Sequence, residues 1–143
     1  MRIYLDTSYL LSLYCADRNS PAAAALIADS RHEHVISTFC EVEAVNALQL
    51  RVSRKEISAK QAKASWDDLV QDLRSGVLTL LSLPDAAFER ARALSLQATA
   101  RLRTRTADLL HVAAALEMGA ERLYSFDRQQ RKLAQAVRLK VNP

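Results

Sequence analysis

Ile3-Tyr4-Leu5-Asp6 sets three apolar residues in a row near the start of the chain and ends them with a carboxylate. A continuous apolar run this short reads as a buried strand. Asp6 then lies at the strand's carboxyl end. Thr7 and Ser8 follow, and residues 8 to about 16 read as a helix. The next helix starts at Asn19 or Ser20, with Pro21 in its first turn.

The same order recurs along the chain. Val35-Ile36-Ser37-Thr38 reads as a second strand. The helix expected from 39 to about 52 carries Val42, Val45, Leu48 and Val52 as its apolar stripe. Ser58 caps a long amphipathic helix whose inner face is Ala62, Trp66, Leu69, Val70 and Leu73, and Gly76 is placed to end it in a left-handed conformation. A third strand is expected over 77–83, and Pro84 opens a helix to about residue 101. The stretch 106–118 is helical and apolar almost all round, so it should be deeply buried, with Gly119 as its stop. Leu123-Tyr124-Ser125-Phe126 reads as a fourth strand and 137–141 as a fifth.

Strands alternating with helices imply a three-layer α/β domain: a central, mostly parallel sheet of four or five strands flanked by helices. No internal repeat or linker interrupts it, so residues 1–143 read as one domain. Crossovers in such sheets are right-handed, and ligands gather at the carboxyl ends of the strands.

That edge collects acids. Asp6 ends the first strand and Asp127 lies just past the fourth. Glu43 sits in the first turns of the helix after the second strand. Asp108 sits in the first turn of a helix that must run back across the sheet before the fourth strand. Crowded carboxylates repel unless something neutralises them, and oxygen donors suit Mg²⁺ or Mn²⁺. Each acid also has a purely structural reading. Asp6 could cap a helix, Asp108 could complement a helix dipole, and Asp127 could form a capping box with Gln130. Glu43 could be an exposed helix residue, with Glu41 competing for its role. The coincidence of all four on one edge favours a site. His111, one turn after Asp108, reads as a buried, hydrogen-bonded histidine rather than a ligand. Trp66 reads as core, and His32 and His34 carry no signal.

Composition narrows the chemistry. The hydrophobic share is 50% and the charged share 25%, an ordinary globular balance. Two glycines, Gly76 and Gly119, cannot build a P-loop or a GxGxxG phosphate cradle. Net charge is +4 and the pI about 9.3, a mild bias toward polyanionic partners. Arg101, Arg103 and Arg105 cluster just before Asp108, and further cations crowd the C-terminal end. Such clusters are also common on solvated surfaces. Cys15 and Cys40 have no metal or redox spacing and read as buried free thiols. There is no leader-like segment and no apolar stretch near the ~20 residues a bilayer requires, so a cytoplasmic setting is expected.

These residues resemble a known family. Ile3-Tyr4-Leu5-Asp6-Thr7-Ser8 resembles the opening of PIN domains. Glu43-Ala44-Val45-Asn46-Ala47-Leu48 is similar to the E-x-x-N-A-L segment of VapC-type toxins, which selects Glu43 over Glu41. The stretch from Thr106 to Ala115 resembles the family's D-x-x-H-x-A-A-A helix. Leu123-Tyr124-Ser125-Phe126-Asp127 resembles its strand ending in T-x-D, with Ser125 in place of Thr. The resemblance implies a PIN fold and a Mg²⁺- or Mn²⁺-dependent endoribonuclease. It implies the toxin of a toxin–antitoxin pair, working as a homodimer restrained by a small antitoxin. On this reading Asp6, Glu43 and Asp108 are the principal metal-site acids and Asp127 a supporting one. Thr7 and Ser125 orient ligands, and Arg101, Arg103 and Arg105 hold the RNA backbone. Two rivals are a PIN fold that binds RNA or protein without cutting, and a haloacid-dehalogenase-type phosphohydrolase. The second wants D-x-D and meets Ser8 instead.

Overall fold

The computed structural model describes residues 1–28 and 31–143. Five strands, β1 (Arg2–Leu5), β2 (Glu33–Ser37), β3 (Thr79–Leu81), β4 (Arg122–Tyr124) and β5 (Lys140–Asn142), form one sheet in the order β3-β2-β1-β4-β5. All four neighbour pairs are parallel. β1 is central, as its uninterrupted apolar run requires: Ile3, Tyr4 and Leu5 are all fully buried.

The pleat divides the core. Ile3, Leu5, Ile36 and Tyr124 pack with α1 (Thr7–Tyr14), α2 (Ser20–Ile27), α3 (Thr38–Ser53) and α4 (Ala59–Ser75). Tyr4, Val35 and Leu123 turn to the other face. There they meet α5 (Asp85–Leu94), α7 (Thr106–Glu117) and α8 (Arg128–Ala136). Helices on both faces of a parallel sheet make the expected three layers. Between α5 and the short α6 (Ala100–Leu102) lies a π-helical turn, Ser95–Thr99.

Several expectations shift in detail. The inward stripe of α3 is Cys40, Ala44 and Leu48, at i, i+4 and i+8, while Val42 is 63% exposed. Of the expected stripe, Leu48 is buried and Val52 packs beside it. β3 keeps only three of the seven residues expected, and the strand expected over 123–126 ends at Tyr124 because Ser125 turns its hydroxyl to Asp6 and to the amide of Asp127. The last strand is displaced to Lys140–Asn142. The helix after Pro84 runs to about residue 101 as expected, with a π-helical turn at Ser95–Thr99 inserted in it. The first helix begins at Thr7 because Asp6 caps it, accepting from the amide of Tyr9. Gly76 ends α4 at φ 80°, in the left-handed region where a Cβ is costly. α7 is buried as its composition requires, with Asp108, Leu109 and the run from His111 to Ala115 all inside.

Candidate functional site

The sheet order brings the acids to one rim. Asp6 follows β1, and Ser125 and Asp127 follow β4, which pairs directly with β1. Ser37 ends β2 and caps α3, so Glu43 rises from the same edge one and a half turns later. Asp108 lies in the first turn of α7. Asp6, Thr7, Glu43, Arg105, Asp108 and Asp127 line one cavity of about 220 Å³, together with His111 and Gln130.

Asp6, like Asp108, is fully enclosed. It is 1% exposed and accepts from the Tyr9 amide at 2.8 Å, from Ser8 at 2.7 Å, and from Ser125 and Gln130 at 2.5 Å each. Burial pushes its carboxyl above the ordinary range, and the His111 charge and the donors only partly offset this. The capping box expected between Asp127 and Gln130 is half formed. The Gln130 amide donates to Asp127, but the Gln130 side chain turns to Asp6, and the Asp127 amide donates to Ser125 instead.

Glu43 is gripped at Oε1, by the Thr7 hydroxyl at 2.8 Å and by His111 Nε2 in a short contact. Burial works to raise this carboxyl. The hydrogen bond and charge of His111, with Thr7 and Arg105, outweigh it and hold Glu43 below the usual range. Behind His111 stands a chain of buried groups. The Cys40 amide donates to Ser37 Oγ, Ser37 Oγ lies 2.8 Å from Tyr4 Oη, and Tyr4 Oη lies 2.9 Å from His111 Nδ1. Each hydroxyl in this chain can donate or accept, and the chain gives His111 a buried polar partner at Nδ1 while Nε2 meets Glu43. His111 is thus the buried, hydrogen-bonded histidine expected, at 2% exposure.

Asp108 accepts from the Arg105 amide at 2.9 Å, and the Arg105 guanidinium bridges it to Asp127. Arg101 and Arg103 stand exposed and do not join Arg105 in the lining of the cavity, and Arg103 holds a left-handed φ of 56°. Sequence reasoning placed Arg105 toward a substrate and did not find its pairing with the acids. It also missed Ser8, which donates to Asp6 and accepts from the Phe126 amide, tying the two strand ends together. Each has a near partner, Asp6 for Ser8 and Asp108 for Arg105, but its second partner, the Phe126 amide or Asp127, is distant in sequence and carries no local signal. Cys15 and Cys40 are buried free thiols.

Among the described residues no three His, Cys, Asp or Glu side chains are grouped closely enough to hold an ion as they stand. The donor chemistry nonetheless fits a hard divalent cation. The acids offer oxygen only, they line one cavity, and the buried Asp6 carboxyl is destabilised in its charged form. Among the described residues no helix is long and apolar enough to cross a membrane.

Solved structures share this architecture. The chain is similar to VapC20 of Mycobacterium tuberculosis, described as a sarcin-ricin loop cleaving toxin, at TM-score 0.71 and 20% identity over 99% of both chains. It is similar to VapBC2 of Rickettsia felis, bound to a DNA fragment from its promoter, at TM-score 0.70 and 14% identity over 99% of this chain and 98% of that one. It is also similar to VapBC-1 of nontypeable Haemophilus influenzae, at 0.67 and 14% over 99% and 97%. At these identities the likeness is one of fold. No curated protein matches the chain. The family model for the PIN domain matches residues 3–136, from the first strand through the last helix and across every acid at the rim, and the chain belongs to the PIN-domain family.

Proposed function

We propose that residues 1–143 act as one metal-dependent endoribonuclease unit, the toxin of a toxin–antitoxin pair. The observation that carries this reading is the convergence of Asp6, Glu43, Asp108 and Asp127, from four separate segments, on one cavity at the carboxyl rim. Mg²⁺ or Mn²⁺ would be held by Asp6, Glu43 and Asp108 with Asp127 in support, and would lower the pKa of a water and draw charge from the scissile phosphoryl group.

The chain's own residues prepare the site. Ser125, Ser8 and Gln130 orient the Asp6 carboxylate, and Thr7 with His111 fixes one oxygen of Glu43. Preset ligands need no reorganisation when the substrate arrives. Arg101, Arg103 and Arg105 hold the RNA backbone by charge, which positions the substrate without reading its sequence.

The toxin role draws support from the VapC and VapBC neighbours, and with it come a small antitoxin partner, a homodimer and a cytoplasmic setting. An antitoxin would lay an apolar helix between α1 and α3 and send a cation into the acids. A PIN fold that binds RNA without cutting is the second reading. It is favoured by one observation, the Arg105 guanidinium already lodged among the acids.

One experiment separates the two. Purified protein is incubated with total cellular RNA and Mg²⁺ or Mn²⁺, and new ends are mapped by sequencing. New ends that need the cation and vanish in Asp108→Asn support the nuclease. Retention of RNA with no new ends leaves the binding module.

A further inference from the structure

We propose that Arg105 is a switchable counter-ion. It neutralises the acidic cleft until a divalent cation enters, and then turns its guanidinium to the RNA phosphate. The proposal rests on the nuclease reading above.

The backbone and side chain of Arg105 are held very differently. Its amide donates to Asp108 at 2.9 Å, at the start of α7. The preceding loop is fixed: Thr104 is buried and its hydroxyl lies 2.6 Å from that of Thr99 in the π turn. The side chain is 68% exposed, with one good bond to Asp127 at 2.9 Å and two long ones to Asp108 at 3.3 and 3.4 Å. The guanidinium can therefore leave while the main chain stays. Its best bond, to Asp127, is exposed, and exposed ion pairs are weak.

Asp108 explains why the pairing exists. Its side chain is 2% exposed, and a carboxylate so enclosed requires a cation nearby. A divalent cation satisfies the same oxygens with twice the charge. The guanidinium then loses its partners and is repelled by the newcomer. The next anion within its reach is the substrate backbone, whose phosphate its planar fork matches.

The contrary role is a fixed scaffold that holds Asp108 and Asp127 apart for the ion. The two roles differ in sign. We would titrate Mn²⁺ alone, without RNA, into wild type, Arg105→Ala and Arg105→Gln by calorimetry. Self-competition predicts about three-fold tighter Mn²⁺ binding in both variants, since the ion no longer breaks an exposed pair. It also predicts cleavage slower by about ten-fold or more at saturating Mn²⁺, from loss of a phosphate-binding group. Weaker or unchanged Mn²⁺ binding overturns the proposal, and so does undiminished cleavage. If wild type binds no Mn²⁺, or binds it equally well with Asp6→Asn and Asp108→Asn, the nuclease reading fails first and takes the proposal with it.

Discussion

Gln130 and Asp6 are joined side chain to side chain at 2.5 Å across 124 residues of sequence. The contact ties the last helix to the end of the first strand and aims an amide N–H at a fully buried acid of the rim. Gln130 is itself only 3% exposed, so its amide is committed to this task.

Gln130→Ala should lower cleavage by about ten-fold, the usual effect of removing a group that orients a ligand. Gln130→Glu should be worse at pH 8, because it sets two buried carboxyls together. At pH 5 the new carboxyl is protonated and can donate, so the Tm gap between the two variants should narrow. Thermal melts at both pH values check this, and a gap that widens in acid refutes it.

Asp6→Asn and Asp108→Asn should each abolish metal-dependent cleavage and leave the fold intact, which circular dichroism can verify. Full activity in both variants would remove these acids from the site. For Asp6 the stability sign can be worked out. Burial raises its carboxyl in the folded state, so the folded protein is penalised as pH rises above the ordinary carboxylate value of about 4. Below that value both states are protonated and the penalty is absent. Asp6→Asn should therefore melt higher than wild type at pH 7, by about 3–5 °C for each kcal/mol relieved, and the difference should vanish in acid. An equal or lower Tm at pH 7 contradicts the direction.

Thr7 and His111 act on the same oxygen of Glu43, so their removal should not be additive. We expect Thr7→Val and His111→Ala to show a coupling of about 1 kcal/mol in a double-mutant cycle on kcat/KM. Tyr4→Phe deletes the hydroxyl behind His111 and should cost about 1–3 kcal/mol of stability, through the buried partners it leaves. Independent effects of Thr7 and His111 would mean that Glu43 is held some other way.

Arg101 and Arg103 are exposed and should serve RNA alone. Arg101→Ala with Arg103→Asn, whose short side chain tolerates a left-handed backbone, should flatten the salt dependence of RNA binding. The slope of log affinity against log salt should fall by about 1.4 for two lost single-strand phosphate contacts, while Mn²⁺ affinity stays the same. An unaltered slope returns both residues to ordinary solvated surface.

Toxicity tests the biological reading. Expression of the chain alone should slow growth, Asp6→Asn should be harmless, and coexpression of a small protein encoded beside it should restore growth. Harmless wild type that is active on RNA in vitro would leave a nuclease without a toxin role.

Local pattern was enough for the architecture and for bringing four acids to one rim. A buried strand announces itself by an unbroken apolar run, as in Ile3-Tyr4-Leu5, and a parallel sheet sends strand ends and helix starts to one edge. Asp6, Glu43, Asp108 and Asp127 could therefore be placed on one rim from chain order alone. What lay beyond sequence was the partner of each polar group. Arg105 has the acids and a substrate as competing destinations, Gln130 has its own helix cap and Asp6, and His111 has only a general need for hydrogen bonds. Hydrogen bonds form over about 3 Å, and nothing in the spacing of residues 6, 43, 111 and 130 encodes a distance that short. The packing of α7 and α8 against β1 decides it, by setting which side-chain tips meet once the backbones are fixed.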